Sequence, residues 1–139
     1  MAGDGTSARP VVVIADIANV MGSRPDGWWK DRAGAATALL DGMPELVGSV
    51  VGGPDGGTVR IERLIAVVEG AAKAATGPAG IEVVRAPADG DSTIVAVAED
   101  TRAAGARVVV VTADRGLRAR LDADAIVAGP GWLNALLGR

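Results

Sequence analysis

Short, unbroken runs of Val, Ile and Leu recur along the chain, separated by stretches in which apolar residues return every three or four positions. The first run, Val11–Ala15, predicts a strand covered on both faces. A loop from Ile17 to Gly27 follows, rich in Gly, Pro and polar residues, and then a helix from Trp28 to about Leu40, closed by Asp41-Gly42. Val47 to Thr58 holds five glycines and a proline and reads as an irregular loop or a hairpin. It has the glycine content of a phosphate loop without the GK[ST] ending such a loop needs. A second strand spans Leu64–Val68, and an Ala-rich helix around Ala71–Ala75 is stopped by Gly77-Pro78. The third strand is Ile81–Arg85. Next comes a helix opening near Asp91 and ending at Gly105, with Ile94, Val97, Ala98 and Thr101 on one face. Arg107–Thr112 is the fourth strand, Arg115–Leu121 a short helix, and Ala125–Ala128 the last strand, before Gly129-Pro130-Gly131 and the closing segment Trp132–Leu137.

Strands alternating with helices imply βαβ units and right-handed crossovers. The fold class expected is therefore α/β, a single three-layer domain with a mostly parallel sheet of about five strands. The 139 residues suit one domain, which at this size buries roughly 68% of its unfolded surface. Residues 1–9 read as a short flexible tail and 10–139 as the domain. The tail has no apolar run of the signal-peptide kind, and no segment reaches the ~18 to 20 apolar residues of a membrane span.

Four of the strands run into acidic residues at their carboxyl ends: Asp16, Glu69, Asp89 with Asp91, and Asp114. In an open parallel sheet the ligand crevice lies outside those ends, so these side chains are expected to converge. Two carboxylates about 4 Å apart repel by roughly 4 kcal/mol at an effective dielectric near 20. Such a group stays ionised only around a cation. Carboxylates and water suit Mg²⁺ or Mn²⁺, and a pair of such ions activates water and stabilises the leaving oxygen in phosphodiester cleavage.

Composition points the same way. Histidine and cysteine are both absent, which excludes a Ser-His-Asp triad, a histidine base, thiol nucleophiles, disulfides and the usual zinc or copper ligand sets. A chain without cysteine suits a reducing cytoplasm. Phe and Tyr are also missing, so the core must come from Val, Ile, Leu and Ala with three tryptophans. Net charge is −3, which argues against a generally basic nucleic-acid coat, yet the clustered carboxylates account for that deficit. All but two of the 14 cationic residues are Arg, the type suited to bidentate phosphate contacts.

Members of this constellation also have ordinary structural roles open to them. Asp16 can start a turn, Asn19 can cap a helical turn, Glu69 can simply end a strand, Asp89 can sit in a turn, and Asp91 stands where a helix N-cap is expected. Their order along the chain is more telling than any one of them. That order resembles the PIN-like nuclease superfamily, in particular its NYN branch. Asp16-Ile17-Ala18-Asn19 is similar to that branch's first-strand Asp-x-x-Asn. Thr112-Ala113-Asp114 with Arg115-Gly116-Leu117 resembles its fourth-strand Thr/Ser-x-Asp and short helix, and Asp89-Gly90-Asp91 resembles its third acidic position, best matched by Asp91. The second acidic position has three candidates, Glu69, Glu62 and Glu45, of which Glu69 alone ends a strand. The resemblance covers Val11 to about Leu137 through short motifs, and it implies a Mg²⁺/Mn²⁺-dependent nuclease acting most often on RNA, with DNA left open. Asp16, Asp91 and Asp114 would be catalytic, and Asp16, Glu69, Asp89, Asp91 and Asp114 the metal-holding set.

Substrate contacts are expected from Arg115 and Arg118, three apart on the helix beside Asp114, and from Asn19 and Thr112. Arg24, Lys30 and Arg32 surround the loop after the first strand, where Trp28-Trp29 offers a stacking platform. Asp122 and Asp124 read as a solvated helix end. A haloacid-dehalogenase-type phosphatase would need a second Asp where Ala18 stands, and a Toprim-like phosphotransfer domain would need Glu in place of Asp16. A Nudix helix is absent from the sequence. A catalytically degenerate PIN-like module that binds nucleic acid or protein stays open, as do a homo-oligomer and an antitoxin-type partner.

Overall fold

The computed structural model describes residues 8–139. Most of the expected tail lies outside them, but Ala8 is buried and Arg9 already opens the first strand. Five strands run parallel: β1 (Arg9–Asp16), β3 (Thr58–Val68), β4 (Glu82–Arg85), β5 (Val108–Val111) and β6 (Ile126–Ala128). A short β2 (Val50–Gly52) pairs antiparallel with the start of β3. β1 is central, between β3 and β5, and β6 forms one edge beyond β5. The far side of β3 serves two partners in turn, β2 against Thr58–Arg60 and β4 against Ile65–Val68.

Alternation along β1 divides the interior into two layers. Val11, Val13 and Ala15 pack with α1 (Ile17–Gly22), α2 (Arg32–Asp41) and α5 (Pro130–Leu136). Val12 and Ile14 face the other way, onto Ile94 and Ala98 of α3 (Gly90–Ala103) and Leu117 of α4 (Arg115–Arg120). With both faces covered, the strands read as continuous apolar runs. The α3 face foreseen from spacing is the buried one at Ile94, Ala98 and Thr101.

Four local expectations change. The predicted loop from Ile17 begins as α1, because Asp16 caps it and Ile17, Val20 and Met21 fall at helical spacing onto the core. The predicted helix from Trp28 is interrupted: Trp28–Lys30 is a 3₁₀ turn, and α2 starts only after Asp31, whose carboxylate accepts the Gly34 N–H at 2.9 Å. β3 begins at Thr58 rather than Leu64, its first half alternating buried Val59 and Ile61 with Arg60 and Glu62. The glycine-rich stretch is thereby settled as a hairpin, and the Ala-rich helix is a 3₁₀ segment, Gly70–Ala74. Among the described residues no helix is long and apolar enough to cross a membrane.

Candidate metal centre

Because β1, β3, β4 and β5 are parallel, their carboxyl ends share one rim. The apolar run of β1 carries Asp16 to that rim and leaves its side chain only 6% exposed. One carboxylate oxygen accepts the Asn19 N–H at 3.3 Å and the other accepts the Thr112 hydroxyl at 3.0 Å. Burial pushes the Asp16 carboxyl up to about 6; the Thr112 and Asn19 bonds offset this in part, and the charges of Asp91 and Glu69 add to it.

Thr112, the residue after β5, works in two directions. Its hydroxyl donates to Asp16 and accepts the Asp114 N–H at 3.1 Å. Asn19 makes a second tie, its Oδ1 accepting the Ala113 N–H at 2.7 Å. Asp114 caps α4, accepting the Leu117 N–H at 3.0 Å. The ends of β1 and β5 are thus fixed to each other by side chains on both.

The other half of the rim joins β3 to α3. Glu69, directly after β3, accepts the Gly90 N–H at 2.9 Å. Glu62 lies within β3 in an ion pair with Arg60, and Glu45 is exposed in a 3₁₀ turn, so neither ends a strand here. The cap of α3 is Asp89 rather than Asp91: its carboxylate accepts from the Ser92 N–H at 2.7 Å and the Ser92 hydroxyl at 3.3 Å, bonds that hold its pKa below the ordinary value. Asp91 sits in the first turn and is free of that duty. Its pKa is raised, first by partial burial and then by the charges of Asp114, Glu69 and Asp89, against the opposing charge of Arg120.

These influences tie Asp16, Glu69, Asp91 and Asp114 into one electrostatic group, with the exposed Asp89 at its margin. Their spacing is open: among the described residues no three carboxylates approach closely enough to ligate one ion directly. Arg115 and Arg118 are exposed on α4 next to Asp114. Arg120 was not singled out in the sequence, yet it reaches from α4 to the Ser92 hydroxyl at 3.3 Å, and its charge opposes the upward shift of Asp91 and helps to lower Asp89. Only the packing of α4 on α3 reveals it. Trp28 is half-buried against the core with Arg32 5.2 Å over its ring, whereas Trp29 stands 51% exposed at right angles to it. Asp122 and Asp124 pair with Arg102 at 3.2 and 4.0 Å.

A mixed sheet flanked by helices, with acidic residues at the ends of parallel strands, is an architecture consistent with the PIN-like fold. No family model matches the chain, and no curated protein matches it. Among solved structures the fold is similar to that of a mutant form of Rae1 (YacP) from Bacillus subtilis, with a TM-score of 0.69 over 92% of this chain and 75% of that one. Identity is 18%, so the likeness is one of fold.

Proposed function

We propose that the protein is a Mg²⁺- or Mn²⁺-dependent nuclease that hydrolyses phosphodiester bonds in RNA. The observation that carries this reading is the carboxylate rim, where Asp16 and Asp91 are both raised, by burial first and then by the neighbouring carboxylates. A dication would relieve that repulsion, and the donors are oxygens alone, the hard set that suits Mg²⁺ and Mn²⁺. The open spacing is compatible with Mg²⁺, which keeps several waters and is held by one or two carboxylates. Asp16 and Asp114, linked through Thr112, would be the principal holders, with Asp91 and Glu69 opposite and Asp89 at the margin. A bound ion would supply Lewis acidity, toward a phosphate oxygen and toward water.

The chain's own residues supply position. Thr112 and Asn19 fix the orientation of Asp16 and of the segment carrying Asp114, leaving the Asn19 amide nitrogen to donate to substrate. Arg115 and Arg118 would grip phosphates flanking the scissile bond, with Arg120 beside Asp91. Such RNA would be met in the cytoplasm. A second reading is favoured by the distance between the carboxylates: a PIN-like module that binds nucleic acid or a protein without turning it over.

Incubation of end-labelled single- and double-stranded RNA and DNA with Mn²⁺ or EDTA separates these readings. Cleavage that needs Mn²⁺ and disappears in Asp16→Asn is the expected result. RNA binding with no cleavage at any Mn²⁺ concentration selects the binding module. Phosphate release from small phosphoesters selects a phosphatase.

A further inference from the structure

Away from the carboxylate rim, a cleft of about 470 Å³ opens where the Trp28–Lys30 turn meets α1 and α2. Its apolar lining is Met21, Leu39, Ala35, Ala38 and the indole of Trp28. None of the acidic residues of the rim contributes to it. We propose that this cleft seats one nucleobase of a single-stranded nucleic acid whose backbone continues across the rim; the proposal rests on the nuclease reading for what the strand does next.

Three observations carry it. An indole beside two alanines makes a flat apolar slot, and stacking on an aromatic face accepts any base. The ring is already fixed, by Arg32 5.2 Å above it and by Trp29 edge-on at 5.9 Å, so little order has to be gained on binding. Charge is the second. Asp26, held by Arg139 at 3.2 Å, and Asp31 line the cleft, while Arg24, Lys30 and Arg32 stand exposed on the same segment. The cleft's own charged lining is Arg139 with those two carboxylates, and the three cations beside it give the segment a positive balance on a chain of net charge −3, the sign a phosphate backbone requires. Connection is the third. Asp16 caps α1 and Met21 lies near its other end, about 8 Å along at 1.5 Å per residue. A stacked strand covers that distance in two or three nucleotides at roughly 3.4 Å each.

The test separates this cleft from the chemistry at the rim. In a Trp29→Phe/Trp132→Phe background Trp28 is the sole fluorophore, and a single-stranded oligoribonucleotide added in EDTA should quench it. Ala38→Phe fills the slot from an exposed position without removing any packing of Trp28; it should abolish the quench and weaken binding about tenfold, the loss of one stacked base. With Mn²⁺, the same variant should raise KM and leave kcat unchanged. Absence of quenching, or an Ala38→Phe variant with unaltered quench and affinity, overturns the proposal. Cleavage with unaltered KM in that variant removes the cleft and keeps the nuclease. Quenching that Ala38→Phe abolishes, in a protein that never cleaves, keeps the cleft and removes the nuclease.

Discussion

Asp16→Asn should stabilise the metal-free protein at alkaline pH and leave it nearly unchanged at acid pH. Burial moves the Asp16 carboxyl from 3.8 to about 6. Between those values the folded chain keeps a proton that the unfolded chain has released, so stability falls as pH rises through the window and the whole penalty is present above pH 6. The difference corresponds to about 3 kcal/mol. Against it stands one lost acceptor. The carboxylate serves two donors, the Asn19 N–H and the Thr112 hydroxyl, and the introduced amide has a single acceptor oxygen, a cost of about 1–2 kcal/mol. The net expectation is a gain of about 1–2 kcal/mol at pH 8 and little difference at pH 4, where the folded wild type carries a protonated Asp16 that donates and accepts much as the amide does. At roughly 3–5 °C per kcal/mol for a domain of this size, the two melting curves lie together near pH 4 and separate as pH rises through 6. Asp91, also raised, steepens the wild-type decline in the same direction, whereas Glu82 and Asp89 are lowered and act only below their ordinary values. Circular-dichroism melts in EDTA from pH 4 to 8 decide the matter. Parallel curves for the two proteins, or a wild-type Tm that rises steadily toward pH 8, would refute the assignment of buried strain to Asp16.

Millimolar Mg²⁺ or Mn²⁺ should raise the wild-type Tm, because an ion at a hundred times its Kd stabilises the folded state by about 2.7 kcal/mol; an undiminished shift in both Asp16→Asn and Asp114→Asn removes those residues from the site. Gly90→Ala would place a methyl 3.0 Å from the Glu69 carboxyl carbon and one of its oxygens. The carboxylate must then turn away, so the Mn²⁺-induced Tm shift should shrink while stability in EDTA stays within about 1 kcal/mol, the helix preference for Ala offsetting the lost bond; an unchanged Mn²⁺ shift would show that Glu69 does not take part. Asn19→Ala should cost about 0.5–1.5 kcal/mol by removing the bond to the exposed Ala113 N–H, read as a lower urea midpoint at constant m. Equal midpoints for Asn19→Ala and wild type would contradict the tie.

Where burial is complete on both faces, the sequence reads without ambiguity. Val11–Ala15 and Val108–Val111 have no exposed residue, so each appears as an apolar run and its strand follows. The first half of β3 is harder, because Arg60, Glu62 and Arg63 break the run and only Val59 and Ile61 point inward. Their alternation becomes legible once β2 is known to lie alongside. The interrupted helix at Trp28 shows a different limit. Apolar spacing continues through Asp31, but that side chain satisfies Gly34 N–H and starts the helix anew, and a cap of this kind competes locally with helical continuation.

At the site, the strand-end carboxylates were legible because parallel topology alone brings them to one rim. What their order could not convey is that four of them already have hydrogen-bond duties: Asp16 caps α1, Asp114 caps α4, Glu69 takes the first N–H of α3, and Asp89 caps the same helix. Each duty fixes a carboxylate in place before any ion arrives, and each uses only part of its accepting capacity, since a carboxylate offers about four lone-pair sites. The ordinary reading and the functional one are therefore the same geometry seen twice. A helix N-terminus needs a fixed acceptor, a metal would need a fixed oxygen, and on the proposed reading one side chain at a strand end would serve as both. Arg120 lay beyond the reach of sequence for the complementary reason: its importance comes from Ser92 on another helix, a contact that no local spacing encodes.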